Sequence, residues 1–284
     1  MDIEHILSEQ NILTLKDKAF DLLYFLGRYI FRGKYTPILL YHSIDDSGSI
    51  VSVNSSEFKK QMKFLKNNGF RTISLDDYIS CINENRPAPA KSFVLTFDDG
   101  YLNFISQVLP VLKKYGFCAT IFLTTGYIEG SCEWIEEDSV PRLKMLGWKE
   151  IIQLKNTGIS FGAHTVNHPH MTQLTDNDIK YEILECKKLM EQRLENPITS
   201  FCYPYGDYDE RVLNIVRKMG FRAACSVEWG VKNDLRSLFA LKRVTIGPET
   251  TLSYLKFIFS GFYDMNLTRK RLFKSRIYDA EKKD

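Results

Sequence analysis

Seven short runs rich in β-branched and aromatic residues recur along the chain, and the segments between them have the length and periodicity of helices. The runs are YTPILLYH (35–42), SFVLTF (92–97), FCATIFL (117–123), GISFGAH (158–164), ITSFCYP (198–204), FRAACSV (221–227) and LKRVTI (241–246), with a shorter one, FRTISL, at 70–75. Strands separated by helices pair in parallel through crossovers. The intervening stretch SSEFKKQMKFLKNNGF predicts a helix with a serine cap, Glu57 in its first turn, apolar Phe58, Met62 and Leu65 on one face, and Gly69 as its stop. Similar signals lie in LNFISQVLPVLKKYG, MLGWKEIIQLKNTG, LTDNDIKYEILECKKLMEQRL and YDERVLNIVRKMG. Seven such strands in 284 residues fit a closed or nearly closed barrel better than an open sheet.

With 44% hydrophobic and 26% charged residues the chain has the means to bury one large core and is not disordered. The formal net charge of +3 is carried by the last residues, since 266–284 hold seven lysines and arginines against three acids. No basic field covers the body of the protein, which argues against a nucleic-acid partner. The six cysteines, Cys81, Cys118, Cys132, Cys186, Cys202 and Cys225, form no C-x-x-C pair and read as reduced thiols in a reducing compartment.

No secretory leader is evident at the N-terminus. The apolar run AFDLLYFLGRYIF (19–31) contains Asp21 and Arg28 and is too short to span a bilayer. Near the other end, LSYLKFIFSGFY is followed by RKRLFKSR, so both ends set apolar residues beside basic ones. The expectation is a cytoplasmic protein with helical ends at 1–34 and 251–284 around a single central domain at 35–250, the alternative being peripheral contact with the inner face of a membrane.

In a parallel barrel the functional site lies at the carboxyl ends of the strands, and the polar residues cluster there. His42 ends the first run, Asp98 and Asp99 the second, His164 with His168 the fourth, and Pro204 with Tyr205 the fifth. Gly162 before the histidine pair and Pro169 after it favour a strand-to-loop turn over a helix. Two imidazoles and one carboxylate make a three-ligand site with open positions, the form of catalytic zinc and also of non-haem iron. Two adjacent acids suggest that one binds metal and the other takes protons; the competing reading makes Asp98 a helix cap or the partner of a core arginine.

TFDDG, H-T-x-x-H and YPYG, in this order on alternating strands, resemble the polysaccharide deacetylase family, carbohydrate esterase family 4 or NodB homology domain, over residues 35–247. The resemblance implies a deformed (β/α)7 barrel, NodB-like. It implies Asp98 as general base, and Asp99, His164 and His168 as ligands of a divalent metal, most often Zn2+, with Co2+ or Ni2+ as alternatives. Pro204 and Tyr205 match the third motif, whose tyrosine N–H holds the oxyanion.

Three departures from the family pattern follow. Cys202 stands where the third motif often has the arginine that orients the base, and Arg243 in the last strand is placed to replace it. No histidine follows His170 to serve as the acid of the last motif. PILLYHSI resembles the first strand of the poly-N-acetylglucosamine deacetylase type, in which an N-terminal histidine protonates the leaving amine, which gives His42 that role. SVEWG replaces the fourth motif, and Trp229 becomes a candidate wall for a sugar ring. The expected activity is metal-dependent hydrolysis of the N-acetyl group of an N-acetylhexosamine in a polysaccharide or in a lipid-linked or nucleotide-linked precursor. A carbohydrate-binding pseudoenzyme and a non-haem iron oxygenase are the alternatives.

Overall fold

The computed structural model describes residues 3–30, 35–134 and 142–263. Seven strands, β1 (Ile38–Tyr41), β2 (Ser92–Phe97), β3 (Ala119–Leu123), β4 (Ile159–Ala163), β5 (Ser200–Cys202), β6 (Ala223–Trp229) and β7 (Leu241–Thr245), pair in parallel in chain order. β1 is hydrogen-bonded to both β2, with Leu39 opposite Leu95, and β7, with Leu39 opposite Val244, so the sheet closes. Closure explains why these strands read as unbroken apolar runs: β1, β2 and β3 are buried at every position because each has the barrel interior on one face and helices on the other.

Eight helices accompany the strands among the described residues: α1 (Ile3–Ile30), α2 (Ser55–Asn67), α3 (Leu75–Asn83), α4 (Leu109–Tyr115), α5 (Trp148–Leu154), α6 (Asp176–Leu194), α7 (Glu210–Lys218) and α8 (Leu252–Ile258). Residues alternate between the two faces of each strand. Leu39, Phe93, Leu95 and Phe97 therefore pack outward with the helices, whereas Ile38, Val94, Phe122, Cys202, Cys225 and Leu241 form the interior cluster. Leu75, Tyr78, Ile79 and Ile82 of α3 join that interior cluster, so α3 plugs the end where the strands begin and leaves the opposite end for polar groups.

Some local expectations need correcting. The cap of α2 is Asn54, not a serine; its side-chain oxygen accepts hydrogen bonds from the backbone N–H groups of Ser56 and Glu57, and Ser55 is the first helical residue. The run at 70–75 yields only a short strand, Arg71–Thr72, which pairs with the outer edge of β2 and takes no place in the closed ring. The segment before Pro110 winds as a π-turn, Phe104–Val108, before α4 begins. Between β6 and β7 the connection carries only a 3₁₀ turn, Leu235–Ser237, which is where the helix alternation lapses.

All six cysteines are free thiols. No helix among the described residues is long and apolar enough to cross a membrane. α1 lies alongside α8, with Phe20 stacked on Phe257 at 4.8 Å. Of the two expected terminal segments, residues 1–2, 31–34 and 264–284 lie outside the described residues.

Candidate metal centre and active site

β2 delivers two carboxylates to the open end of the barrel by ending in a sharp turn. Val94, Thr96 and Asp98 share the inward face. Asp99 then adopts a left-handed backbone at φ 73 and Gly100 follows at φ 92, a conformation glycine takes without strain. A side chain at Gly100 would also meet Leu123 Cδ2 at 2.7 Å. The turn sends the two acids to different partners.

Asp98 faces Arg243 of β7. The guanidinium donates from Nη1 to Oδ1 and from Nη2 to Oδ2, each at 2.7 Å, and both residues are buried. Arg243 is itself fixed by donating from Nε to Ser226 O at 2.8 Å and from Nη1 to Thr96 Oγ1 at 3.2 Å. The Cys202 thiol donates to Asp98 Oδ2 at 3.3 Å; burial pushes that thiol up to about 11, so it stays protonated at neutral pH. Burial alone would raise the Asp98 pKa, but Arg243 outweighs it and holds the group ionised below the usual range. A carboxylate has about four acceptor directions. Three are taken, two of them on Oδ2, which leaves Oδ1 the oxygen able to receive a further proton.

Asp99 faces two histidines. Its Oδ1 stands 3.4 Å from His164 Nε2 and 3.5 Å from His168 Nε2. His164 Nδ1 lies 2.8 Å from Cys202 O, which fixes a proton on Nδ1 and leaves Nε2 as the atom turned to Asp99. Burial pushes His168 down to about 3, so it is neutral, whereas the neighbouring Cys202 and Asp99 outweigh burial at His164 and raise it well above its ordinary value, so a cation taken up at Nε2 would displace a proton there. The imidazoles hold Asp99 below the ordinary carboxylate range against the opposing effect of burial. Asp99 Oδ1 is buried and accepts no hydrogen bond, an arrangement that is costly unless something positive fills the gap. Its oxygen and the two nitrogens lie within 4.8 Å of one another. The three residues therefore fit a divalent cation. Asp98, His164 and Cys202 are as close together, but there the thiol is protonated, the carboxylate is bound to arginine and His164 Nδ1 is committed to a carbonyl, so that group suits a cation poorly.

The histidine loop is held from behind by a residue that the motif does not contain. Glu182 of α6, itself buried, accepts from the backbone N–H groups of Val166 and Asn167 at 2.8 Å each through Oε2, and from Asn167 Nδ2 at 2.7 Å through Oε1. This clamp sustains left-handed backbone at Thr165 (φ 67) and His168 (φ 56). Gly126 lets the loop close, since a side chain there would meet Val166 O at 2.6 Å. The sequence carries a usable signal for Glu182: it falls in phase with Ile179, Ile183, Cys186 and Met190, the buried stripe of α6. Glu182→Ala is expected to weaken divalent-cation binding by about 10–100-fold, as loss of a ligand-orienting contact does. Glu182→Gln keeps the acceptor for both backbone groups and should recover most of the loss. Competition against a chelating dye reads both.

The remaining candidates gather around these groups. Tyr205, at φ 55, packs its ring edge-on to His168 at 4.4 Å and stacks on His170 at 4.2 Å, following buried Pro204. His42, half-buried, leaves β1 between β2 and β7, and its charge contributes to the lowering of both Asp98 and Asp99. Trp229 closes β6 in register with Arg243. Trp134, at 4.8 Å, is stacked on His168, a contact between residues far apart in sequence that no local pattern announces.

Comparison with known proteins gives a consistent outcome. The polysaccharide deacetylase family model matches residues 85–224. The Bacillus subtilis (strain 168) protein YxkH, named for polysaccharide deacetylase, is 33% identical over 212 residues, covering 75% of this chain and 71% of its own. The poly-beta-1,6-N-acetyl-D-glucosamine N-deacetylase of Staphylococcus aureus (strain COL) is 23% identical, covering 76% and 74%. Among solved structures, the Streptococcus pyogenes deacetylase PplD in complex with acetate superimposes with a TM-score of 0.69 at 26% identity, covering 78% of this chain and 96% of that one.

Proposed function

Because the chain belongs to the polysaccharide deacetylase family, we propose that it is a metal-dependent sugar N-deacetylase that hydrolyses the acetamide of an N-acetylhexosamine unit to acetate and a free amine. The observation that carries this reading is the separation of the two buried acids, one ion-paired with an acceptor direction still open on its Oδ1, the other with its Oδ1 lacking a hydrogen bond between two imidazoles. The acetate-bound relative PplD and the N-acetylglucosamine polymer named for the staphylococcal enzyme support the substrate class.

Asp99, His164 and His168 would hold the cation, with zinc the ion this donor set suits best and cobalt or nickel able to replace it. Such an ion supplies Lewis-acid polarisation of a water and of the amide carbonyl. Asp98 takes the proton of the attacking water at Oδ1. Arg243 and Cys202 keep the carboxylate fixed in plane during this transfer. The backbone N–H of Tyr205 is the donor for the oxyanion, a contribution of about 3–4 kcal/mol in comparable sites. His42 delivers the proton to the departing sugar nitrogen, and Trp229, in register with Arg243, and Trp134, stacked on His168, offer aromatic faces to a sugar ring.

His42→Asn is expected to lower kcat by about 100-fold or more, as loss of a general acid does, with cation affinity unchanged, which steady-state kinetics beside a binding titration would resolve. The test of the overall reading is acetate release from N-acetylglucosamine oligomers before chelation, after it and after metal is restored. Activity that disappears and returns supports the proposal; activity indifferent to chelation removes it.

A further inference from the structure

The apolar surface of α1 extends beyond the side that the barrel uses. Its inward side seats Phe20, Leu23 and Tyr24 against the core, with Phe20 on Phe257 and Tyr24 edge-on to Phe64 of α2 at 5.4 Å. Gly27 lies so close to Ser260 that a side chain there would meet its carbonyl at 1.8 Å, so the inward face is fixed by close packing. About a third of a turn round the helix from that side, Leu15, Leu22, Leu26 and Ile30 follow one another at spacings of seven, four and four residues and are 66%, 58%, 44% and 63% exposed. Residues so spaced share one face of a helix. A helix whose apolar sector extends well beyond its packed side normally has the excess covered too.

The charges around this stripe are sorted by sign. Both acids of this part of α1 turn toward α8, where Asp17 accepts from the Thr251 hydroxyl at 2.9 Å and Asp21 pairs with Lys256 at 2.9 Å. Lys16 and Lys18 remain exposed beside the stripe. Next to α1, helix α2 leads to a groove of about 370 Å³ shared with α4, lined by Lys59, Lys60, Lys63 and Lys114 together with Pro110, Val111 and Tyr115. Among the described residues no acid lines it, and of the four lysines only Lys60 has an ion pair, with Glu57. The basic segment 266–284 continues the chain from Tyr263, which packs against Tyr254 and Phe257 of the same α8. Apolar residues in a line with cations at their flanks, and acids withdrawn, match an anionic lipid surface.

We propose that the outer face of α1, with the adjoining lysines of α2 and α4, docks the protein on an anionic phospholipid bilayer as a peripheral, non-spanning contact. The apolar stripe enters the headgroup boundary and the lysines meet the lipid phosphates. This inference does not rest on the deacetylase reading, because none of these residues touches the metal centre.

The test is co-sedimentation of the full chain with vesicles of phosphatidylcholine alone and of phosphatidylcholine mixed with phosphatidylglycerol, at low and high salt. Binding is expected only to the anionic vesicles and should weaken as salt rises. Leu22→Ser with Leu26→Ser, and separately Lys59→Glu with Lys63→Glu, should each reduce the vesicle-bound fraction by about tenfold or more. All four positions are on the surface, and unchanged thermal unfolding would show that the variants fold. Absence of binding, or binding that both variants retain, overturns the proposal. A lipid-free dimer that Leu22→Ser with Leu26→Ser dissociates would assign the stripe to a second copy of the chain. Vesicle binding that emerges only when 264–284 is removed would assign it to that segment.

Discussion

An Asp98→Asn protein is expected to release acetate about 100- to 10,000-fold more slowly than the wild type, the range over which a positioned general base contributes, while still binding its divalent cation. The separation of the two properties follows from geometry. Asp99, not Asp98, faces His164 and His168, so the ligand set is untouched. Asparagine keeps one oxygen to accept from Arg243, but its amide nitrogen must face either the guanidinium or the water, and it takes up no proton at neutral pH. Because the change also leaves Arg243 as a buried cation without its counter-charge, unfolding must be followed alongside kinetics. A cation titration equal to wild type, with turnover reduced, confirms the assignment. Turnover within tenfold of wild type would move the base elsewhere.

Arg243→Ala should have the largest effect on stability of any single change in the site. It leaves Asp98 buried with only a thiol for company, and removing one member of a buried pair costs about 3–5 kcal/mol. The pH dependence gives a sharper signature. In the wild type Asp98 has a depressed pKa when folded, so its contribution to stability is present above the carboxylate's unfolded pKa and is lost as pH falls through the lower folded one. Without Arg243, the opposing effect of burial dominates and raises the pKa, so Asp98 becomes protonated at higher pH. The acid limb of the kcat/KM profile should therefore move upward, and activity lost at neutral pH should return partly in alkaline buffer. An acid limb that does not move, with unfolding unchanged, would show that the pair has no part in poising the base.

What could be read in advance was whatever lies close together in the chain. TFDDG and H-T-x-x-H place three candidate ligands and a candidate base within two short turns, and seven apolar runs located all seven barrel strands, because burial on both faces leaves a continuous apolar signature. Contacts made only by closure of the barrel were not visible. Arg243 and Asp98 are 145 residues apart; only the absence of the family's arginine at Cys202 points to Arg243, and its bidentate grip depends on β7 returning to β1. Trp134 over His168 is a similar case. Glu182 is hidden in the sequence although its helical phase marks it as buried, because a glutamate in a charged helix is ordinarily solvated. The cap of α2 moved by one residue because asparagine and serine both satisfy the same orphan N–H groups.

The most direct test of the central claim is to incubate metal-reconstituted protein with N-acetylglucosamine oligomers in oxygen-labelled water and to assay both products, with Asp98→Asn protein alongside. The account predicts free amine and acetate in equal amounts, one labelled oxygen in each acetate, and near-complete loss of both products in the variant. Folded, cation-loaded wild type that yields neither product from these oligomers, nor from lipid-linked or nucleotide-linked acetamido sugars, would contradict it.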